Sequence, residues 1–195
     1  MTDNTRSNGG FTLIELLLTM AVAATLTGIA IPLVGSTVEE IRLAGAARHI
    51  ATRIAAARID AVRRSTAVGL RFSASGSDYS FITYMDTNGN GLRTADITSG
   101  IDVALTPREC LRDKYPGAEL GLLPGIPDLD GAAGSTDGVR IGTSRILSLS
   151  PNGSATSGTL YVRGRRGQYA VRVLGATGRT RVFEYDTGSR RWVSR

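Results

Sequence analysis

Hydrophobic and polar positions divide this chain into three stretches of different period. From Phe11 to about Val34 the residues are apolar almost without interruption, and Glu15 is the single charge. At 1.5 Å per residue a helix over this run would extend about 36 Å, enough to cross a bilayer with some tilt. Beyond it, Ile41, Ile50, Ile54, Ala57 and Ala61 recur near helical spacing, while Arg42, Arg48, Arg53, Arg58 and Arg63 fall mostly on other faces. This pattern predicts an amphipathic stalk over residues 35–66, its second half packed on the domain that follows.

After Ser65 the helical period gives way to short strands bounded by glycine, proline, asparagine or serine. Val68–Phe72, Tyr79–Met85, Ala118–Leu122 and Arg145–Leu149 are the first candidates. Thr159–Val162, Tyr169–Leu174, Thr180–Tyr185 and Arg191–Val193 complete the series. Gly121–Ser135, with Pro124 and Pro127, reads as an exposed loop. The expected fold class is α+β: a long N-terminal helix packed against an antiparallel β domain of two small sheets over residues 67–195.

Glu15 demands an explanation. An acid near the middle of a spanning helix costs about 2.5–3.5 kcal/mol on insertion scales, and such residues usually have a partner. A cleaved secretory signal, with Arg6 as its positive end and Ala21-Val22-Ala23 as its cleavage site, would have an acid inside its apolar core and a leader in which Asp3 offsets Arg6. A plain membrane anchor accounts for the length of the run and leaves Glu15 unexplained.

The segment Gly10-Phe11-Thr12-Leu13-Ile14-Glu15, after a short polar leader and before the apolar helix, resembles the N-terminal signal of type IV pilins and type II secretion pseudopilins. The resemblance implies a leader over residues 1–10 and a prepilin peptidase that cuts between Gly10 and Phe11, then methylates the new amino group of Phe11. It implies that residues 11–34 span the bacterial inner membrane, with the leader cytoplasmic and the remainder periplasmic. It also implies that Glu15 pairs with the amino terminus of a neighbouring subunit in a filament, and that Pro32 stands where family members bend the helix. Two charges that are costly singly in hydrocarbon are tolerable together, so such a pair can set register.

The far end of the chain is similar to the GspH/FimT group of minor pseudopilins and pilins, through Ser150-Pro151-Asn152-Gly153, Gly158-Thr159-Leu160, a hairpin at Arg163–Gly167 and Gly178-Arg179-Thr180-Arg181. The implied partners are other pseudopilins and the inner-membrane assembly platform.

Net charge is +6, but residues 139–195 alone carry +9. Such a field suits an acidic partner, and it also suits a solvated face. Arg179 and Arg181, with Arg163, Arg165 and Arg166, would form a phosphate-neutralising strip if this were a DNA-uptake pilin. Tyr161, Tyr169 and Trp192 are available for stacking, or for covering the sheet. In Asp86-Thr87-Asn88-Gly89-Asn90-Gly91 the alternating side-chain oxygens and glycines match the opening of a calcium loop, with Asp86, Asn88, Asn90 and Asp96 as candidate ligands. Ile97 stands where a bidentate acid belongs, so a glycine-rich turn is the competing reading.

Cys110 is the single cysteine, which excludes an internal disulfide, and His49 is the single histidine. No phosphate loop, zinc-spaced pair or nucleophile with a supporting motif is present, so an enzyme is the least expected class. Asp128 and Asp130 read as solvated turn residues.

Overall fold

The structure, a computed structural model, describes residues 10–76, 78–132 and 135–195, with the side chains of 29–36 outside the description. Helix α1 (Leu13–Arg64) opens it. The chain divides into two compact units, Met1–Val38 and Glu39–Arg195.

In the first unit the start of α1 is set by a reciprocal cap. The Glu15 N–H donates to Thr12 Oγ1 at 3.3 Å, while Glu15 Oε2 accepts from the Thr12 N–H at 3.2 Å and its hydroxyl at 3.1 Å. This is the Ser/Thr-x-x-Glu capping box, which satisfies donors that the first helical turn leaves open. Downstream, Leu13, Ile14, Leu16, Leu17, Leu18, Met20, Val22 and Leu26 each expose half or more of their surface. A helix apolar on every face needs lipid or other helices to cover it. The hydroxyls of Thr19, Thr25 and Thr27 donate to the carbonyls of Leu16, Ala21 and Ala23 at 2.7–2.9 Å, so they bring no unmet polar group to that cover. Among the described residues no helix is long and apolar enough to cross a membrane. The far end of the expected 11–34 span, and the Pro32 side chain, lie outside the described side chains.

In the second unit α1 is followed by β1 (Val68–Ser75), β2 (Asp78–Met85), α2 (Thr94–Ser99), β3 (Val103–Ala104), β4 (Glu109–Cys110) and α3 (Leu111–Lys114). Then come β5 (Glu119–Leu120), β6 (Val139–Arg140), β7 (Ile146–Leu149), β8 (Gly158–Arg163), β9 (Gln168–Leu174), β10 (Arg179–Asp186) and β11 (Arg191–Ser194). One antiparallel sheet runs β3-β2-β1-β7, with β4 also on β2; the other runs β11-β10-β9-β8-β5, with β6 also on β8.

Both sheets bury the same stripe of α1. Leu43, Ala46, Ala47, Ile50, Ile54, Ala57 and Ala61 are at most 2 % exposed, and share one core with Leu70 of β1, Leu147 of β7, Leu160 of β8 and Val171 of β9. Each large aliphatic side chain buried this way contributes about 1.5–3 kcal/mol. Four alanines in the stripe let the sheets approach the helix closely. Ile41, expected on this stripe, is 67 % exposed. Nine residues separate it from Ile50, which is two and a half helical turns, so the two point in opposite directions.

A second, smaller core corrects the exposed loop expected at Gly121–Ser135. Leu122 packs with Tyr161 and Ala170 on the other face of the β8-β9 sheet, joined by Ile126, Leu129, Phe183 and Trp192. The Leu129 N–H donates to the Tyr161 hydroxyl at 3.0 Å, and Trp192 Nε1–H donates to the Pro127 carbonyl at 3.0 Å. Gly138 permits the loop's close approach, because a Cβ there would stand 2.2 Å from the Gly121 nitrogen. Tyr161 and Tyr169 are buried on opposite faces of the sheet, and the Trp192 ring packs against Tyr161 at a tilt of 55°, so the aromatic residues cover the sheet.

Glu109 of β4 ties its strand to α1. Its Oε2 lies 3.1 Å from His49 Nε2 and 3.3 Å from Lys114 Nζ, and its Oε1 meets the Arg53 guanidinium. Burial, then the charges of Lys114 and Arg53, hold the His49 pKa below its ordinary 6.5. A proton on His49 therefore favours the unfolded chain. The stabilisation is fully present above the unfolded value of about 6.5 and is lost as pH falls toward the lowered folded value. Urea midpoints of the purified protein should drop between pH 7.5 and pH 5.5, and by less in His49→Gln; equal drops in the two proteins would show that His49 is not the group responsible.

Candidate functional site

Gly10 and Phe11 precede α1 in a segment with no helical backbone, and Phe11 is 83 % exposed. The peptide bond between them therefore stands in open space, two residues ahead of the first helical turn. Glu15 lies at the start of the helix with its carboxylate held by Thr12. The Thr12-x-x-Glu15 spacing is itself a capping signature in the sequence, and it gives Glu15 a local role besides its charge.

The arginines do not form the strip expected from the sequence. Arg163 pairs across the β8-β9 ladder with Gln168, and Arg165 and Arg166 are exposed on the hairpin beyond it. Arg179 pairs with Leu174 at the opposite end of β9. Six residues of strand separate the two ends, about 20 Å. Arg163 is also committed to Glu119 at 2.9 Å.

A different row is assembled instead. Register places Arg140 of β6 opposite Thr159 of β8, Thr159 opposite Arg172 of β9, and Arg172 opposite Arg181 of β10. Directly opposed residues share a face, so three guanidinium groups and a hydroxyl line one side of the sheet across about 14 Å. Arg179 joins this face two residues from Arg181. Arg172 Nε–H donates to Thr159 Oγ1 at 3.2 Å, and its Nη2 meets Asp130 Oδ2 at 2.6 Å. Arg140 pairs with Asp128 and lies over the Tyr161 ring, 5.8 Å from its centroid. Arg179 and Arg181 are exposed and have no acidic partner among the described residues. Gly178, just before them, adopts φ +59°, and a Cβ there would stand 2.7 Å from the Gly153 carbonyl.

Asp128, expected as a solvated turn residue, is 4 % exposed. It accepts the N–H groups of Asp130 at 3.0 Å and Ala132 at 2.7 Å as well as the Arg140 guanidinium. The loop is thereby pinned over the sheet.

The Asp86 turn is closed by its own backbone. Asp86 is buried, and its Oδ1 accepts the N–H groups of Asn88 at 3.2 Å and Gly89 at 2.8 Å, while Oδ2 accepts that of Gly91 at 2.7 Å. Gly89 and Gly91 supply the positive φ values of 75° and 86° that the turn needs. The Asn88 and Asn90 carboxamides donate to Asp96 Oδ2 at 3.5 and 3.0 Å. As arranged, nitrogen and not oxygen faces Asp96, and most of the Asp86 lone pairs are taken. A cation here would require both carboxamides to rotate by half a turn. Among the described residues no group of three or more acids, histidines and cysteines is disposed to hold a metal ion. Burial raises the Cys110 thiol pKa, which disfavours the reactive thiolate.

A capped apolar helix continuing into a stalk, wrapped by two antiparallel sheets and preceded by an open Gly-Phe junction, defines a type IV pilin-like protein. The prokaryotic N-terminal methylation motif matches residues 5–31, and the family of the type II transport protein GspH matches residues 46–178. The chain belongs to the GspH family. It is also similar to the pilin-like protein PilA1 of Thermus thermophilus, with 37 % identity over 81 residues, 42 % of this chain and 50 % of that protein. The chain thus spans about half the length of the curated relative it matches. No solved structure matches.

With three backbone donors converging on it, Asp86 anchors the whole turn. Asp86→Ala should destabilise the protein by about 2–4 kcal/mol, since each hydrogen bond to a charged group is worth about 1.5–3 kcal/mol and the freed donors partly rehydrate. Chemical denaturation checks this, and a loss below about 0.5 kcal/mol would contradict the anchoring role.

Proposed function

We propose that this protein is a minor pseudopilin, a structural and assembly subunit at or near the tip of a type II secretion pseudopilus that supports export across the outer membrane. The observation that carries the reading is the open Gly10-Phe11 junction set just ahead of a helix whose first acid is Glu15, on a chain of the GspH family. In this reading residues 11–34 anchor the subunit in the inner membrane, with the β domain in the periplasm. Prepilin peptidase removes residues 1–10 and methylates Phe11. The exposed apolar surface of the first helical turns is then covered by lipid, and after assembly by the helices of neighbouring pseudopilins. The inner-membrane assembly platform lifts the subunit into the filament.

Glu15 is the residue on which assembly turns. The ammonium of an adjoining subunit offers it a full charge in place of the two Thr12 donors, and in a medium of low dielectric that exchange favours one axial position. Glu15→Ala should leave cleavage intact, read by mass spectrometry as a chain beginning at methylated Phe11, and should reduce incorporation into sheared filaments. Normal incorporation of that variant would count against the proposal.

A second reading, a FimT-like minor pilin that binds DNA for uptake, is favoured by one observation: Arg179 and Arg181 project from the same face without acidic partners among the described residues. Phosphate contacts of this kind weaken steeply with salt. If this reading holds, the protein retards duplex DNA in a gel at low salt, and Arg179→Gln with Arg181→Gln abolishes the shift. No retardation at low salt removes it.

Calcium enters only at the Asp86 turn, where Asp86, Asn88, Asn90 and Asp96 are its candidate ligands. A turn already closed by backbone donors should show the same thermal midpoint in excess calcium and in chelator. A higher midpoint in calcium would place the ion there.

A further inference from the structure

Beside the arginine row lies a cavity of about 370 Å³, lined among others by Asp130, Arg140, Thr159, Tyr161, Arg172 and Gly175. Its size suits one side chain or chain terminus of a partner. We infer that this cavity receives a carboxylate from an acidic segment of a partner polypeptide, which takes the place of Asp130 on Arg172. The inference deepens the structural-subunit reading and rests on it, because the partner is a protein that the filament meets.

Three observations carry it. First, the cavity already holds the chemistry it would bind: Asp130 reaches Arg172 at 2.6 Å from a side chain that is 70 % exposed. An incoming acid replaces one carboxylate by another, and the displaced one returns to water at little cost. Second, the loop that carries Asp130 does not depend on that contact. Its fixed point is Asp128, whose side chain is 3 % exposed and which binds Arg140 and two backbone N–H groups. Asp130 can release its partner while the loop stays in place over Tyr161. Third, Arg181 stands directly across from Arg172 and is exposed, so a second guanidinium is available to an arriving acid and unused by Asp130. A guanidinium can meet a carboxylate through two parallel N–H···O bonds, which adds direction to charge.

The recess favours a peptide over a nucleic acid. The Arg140 and Arg172 side chains are each 29 % exposed, so the cations sit inside the cavity, whereas duplex phosphates are contacted by protruding side chains along a track. Of the other exposed arginines, Arg165 and Arg166 lie at the far end of the sheet, whereas Arg179 stands on the same face two residues from Arg181.

The test uses the full-length protein in detergent and fluorescence anisotropy at low salt. The probes are a short fluorescein-labelled peptide of glycine and serine ending in aspartate and glutamate, the same peptide ending in two lysines, and a labelled DNA duplex. The acidic peptide should bind and the lysine peptide should not. Asp130→Asn should tighten the acidic peptide by about twofold to fivefold, the worth of an exposed ion pair removed from competition. Arg172→Gln should weaken it about tenfold or more. Because a merely damaged fold cannot tighten binding, the Asp130→Asn arm keeps its meaning even where Arg172→Gln misfolds. The inference is overturned if the acidic peptide fails to bind both the parent and Asp130→Asn, if Asp130→Asn leaves its affinity unchanged, or if the lysine peptide binds equally. DNA bound more tightly than the acidic peptide, and lost in Arg172→Gln, would also overturn it and assign the cavity to nucleic acid. Failure here leaves processing at Gly10-Phe11 and the effect of Glu15→Ala intact, so it is separable from failure of the pseudopilin reading.

Discussion

The second unit depends on one constraint: two sheets must share a single helical stripe. The stripe from Leu43 to Ala61 serves as the common floor of both. Its composition makes this possible. Alanine at 46, 47, 57 and 61 keeps the helix thin where strands approach, and leucine or isoleucine at 43, 50 and 54 fills the gaps between them. A larger side chain at any of the four alanines would push one sheet outward and loosen its hold on the other. Helix and sheets are therefore mutually required, since a stalk with this stripe uncovered would expose a long apolar seam to water.

Two features of the site follow from that arrangement. Because the β8-β9-β10 sheet commits one face to the helix, its other face is left to be covered by whatever the chain can supply, and the loop from Gly121 supplies Leu122, Ile126 and Leu129. The cover extends only part of the way. Where it ends, arginines take over from apolar residues, and Asp128 and Asp130 serve as the loop's last handholds. The arginine row is thus the polar margin of a small second core. Charge, cavity and lid arise from the same packing problem.

Much of this was readable from the sequence, and the exceptions have identifiable physical causes. The eight strands expected from alternating patterns all exist as β1, β2, β5 and β7 to β11, because each combines apolar alternation with a turn signal at its ends. The two-residue strands β3, β4 and β6 and the short helices α2 and α3 carry too few residues to display any period; β5, equally short, was found only because Ala118–Leu122 around it alternates, with a glycine on either side of the strand. The Asp86 turn was legible as a turn because asparagine-glycine steps specify backbone shape directly. The arginine row was not. Arg140, Thr159, Arg172 and Arg181 come from four strands and meet only through their mutual register, which no single-strand pattern encodes. Arg163 and Arg179 share basicity but pair with opposite ends of β9. Ile41 failed for a simpler reason, a phase slip of half a turn.

The reciprocal bond between Thr12 and Glu15 has a consequence for any later contact. An anion that already has donors within its own chain is not a bare ion awaiting rescue. Any cation that reaches this carboxylate must compete with a hydroxyl and an amide for one oxygen, so the bond that caps the helix also sets the threshold for a new partner.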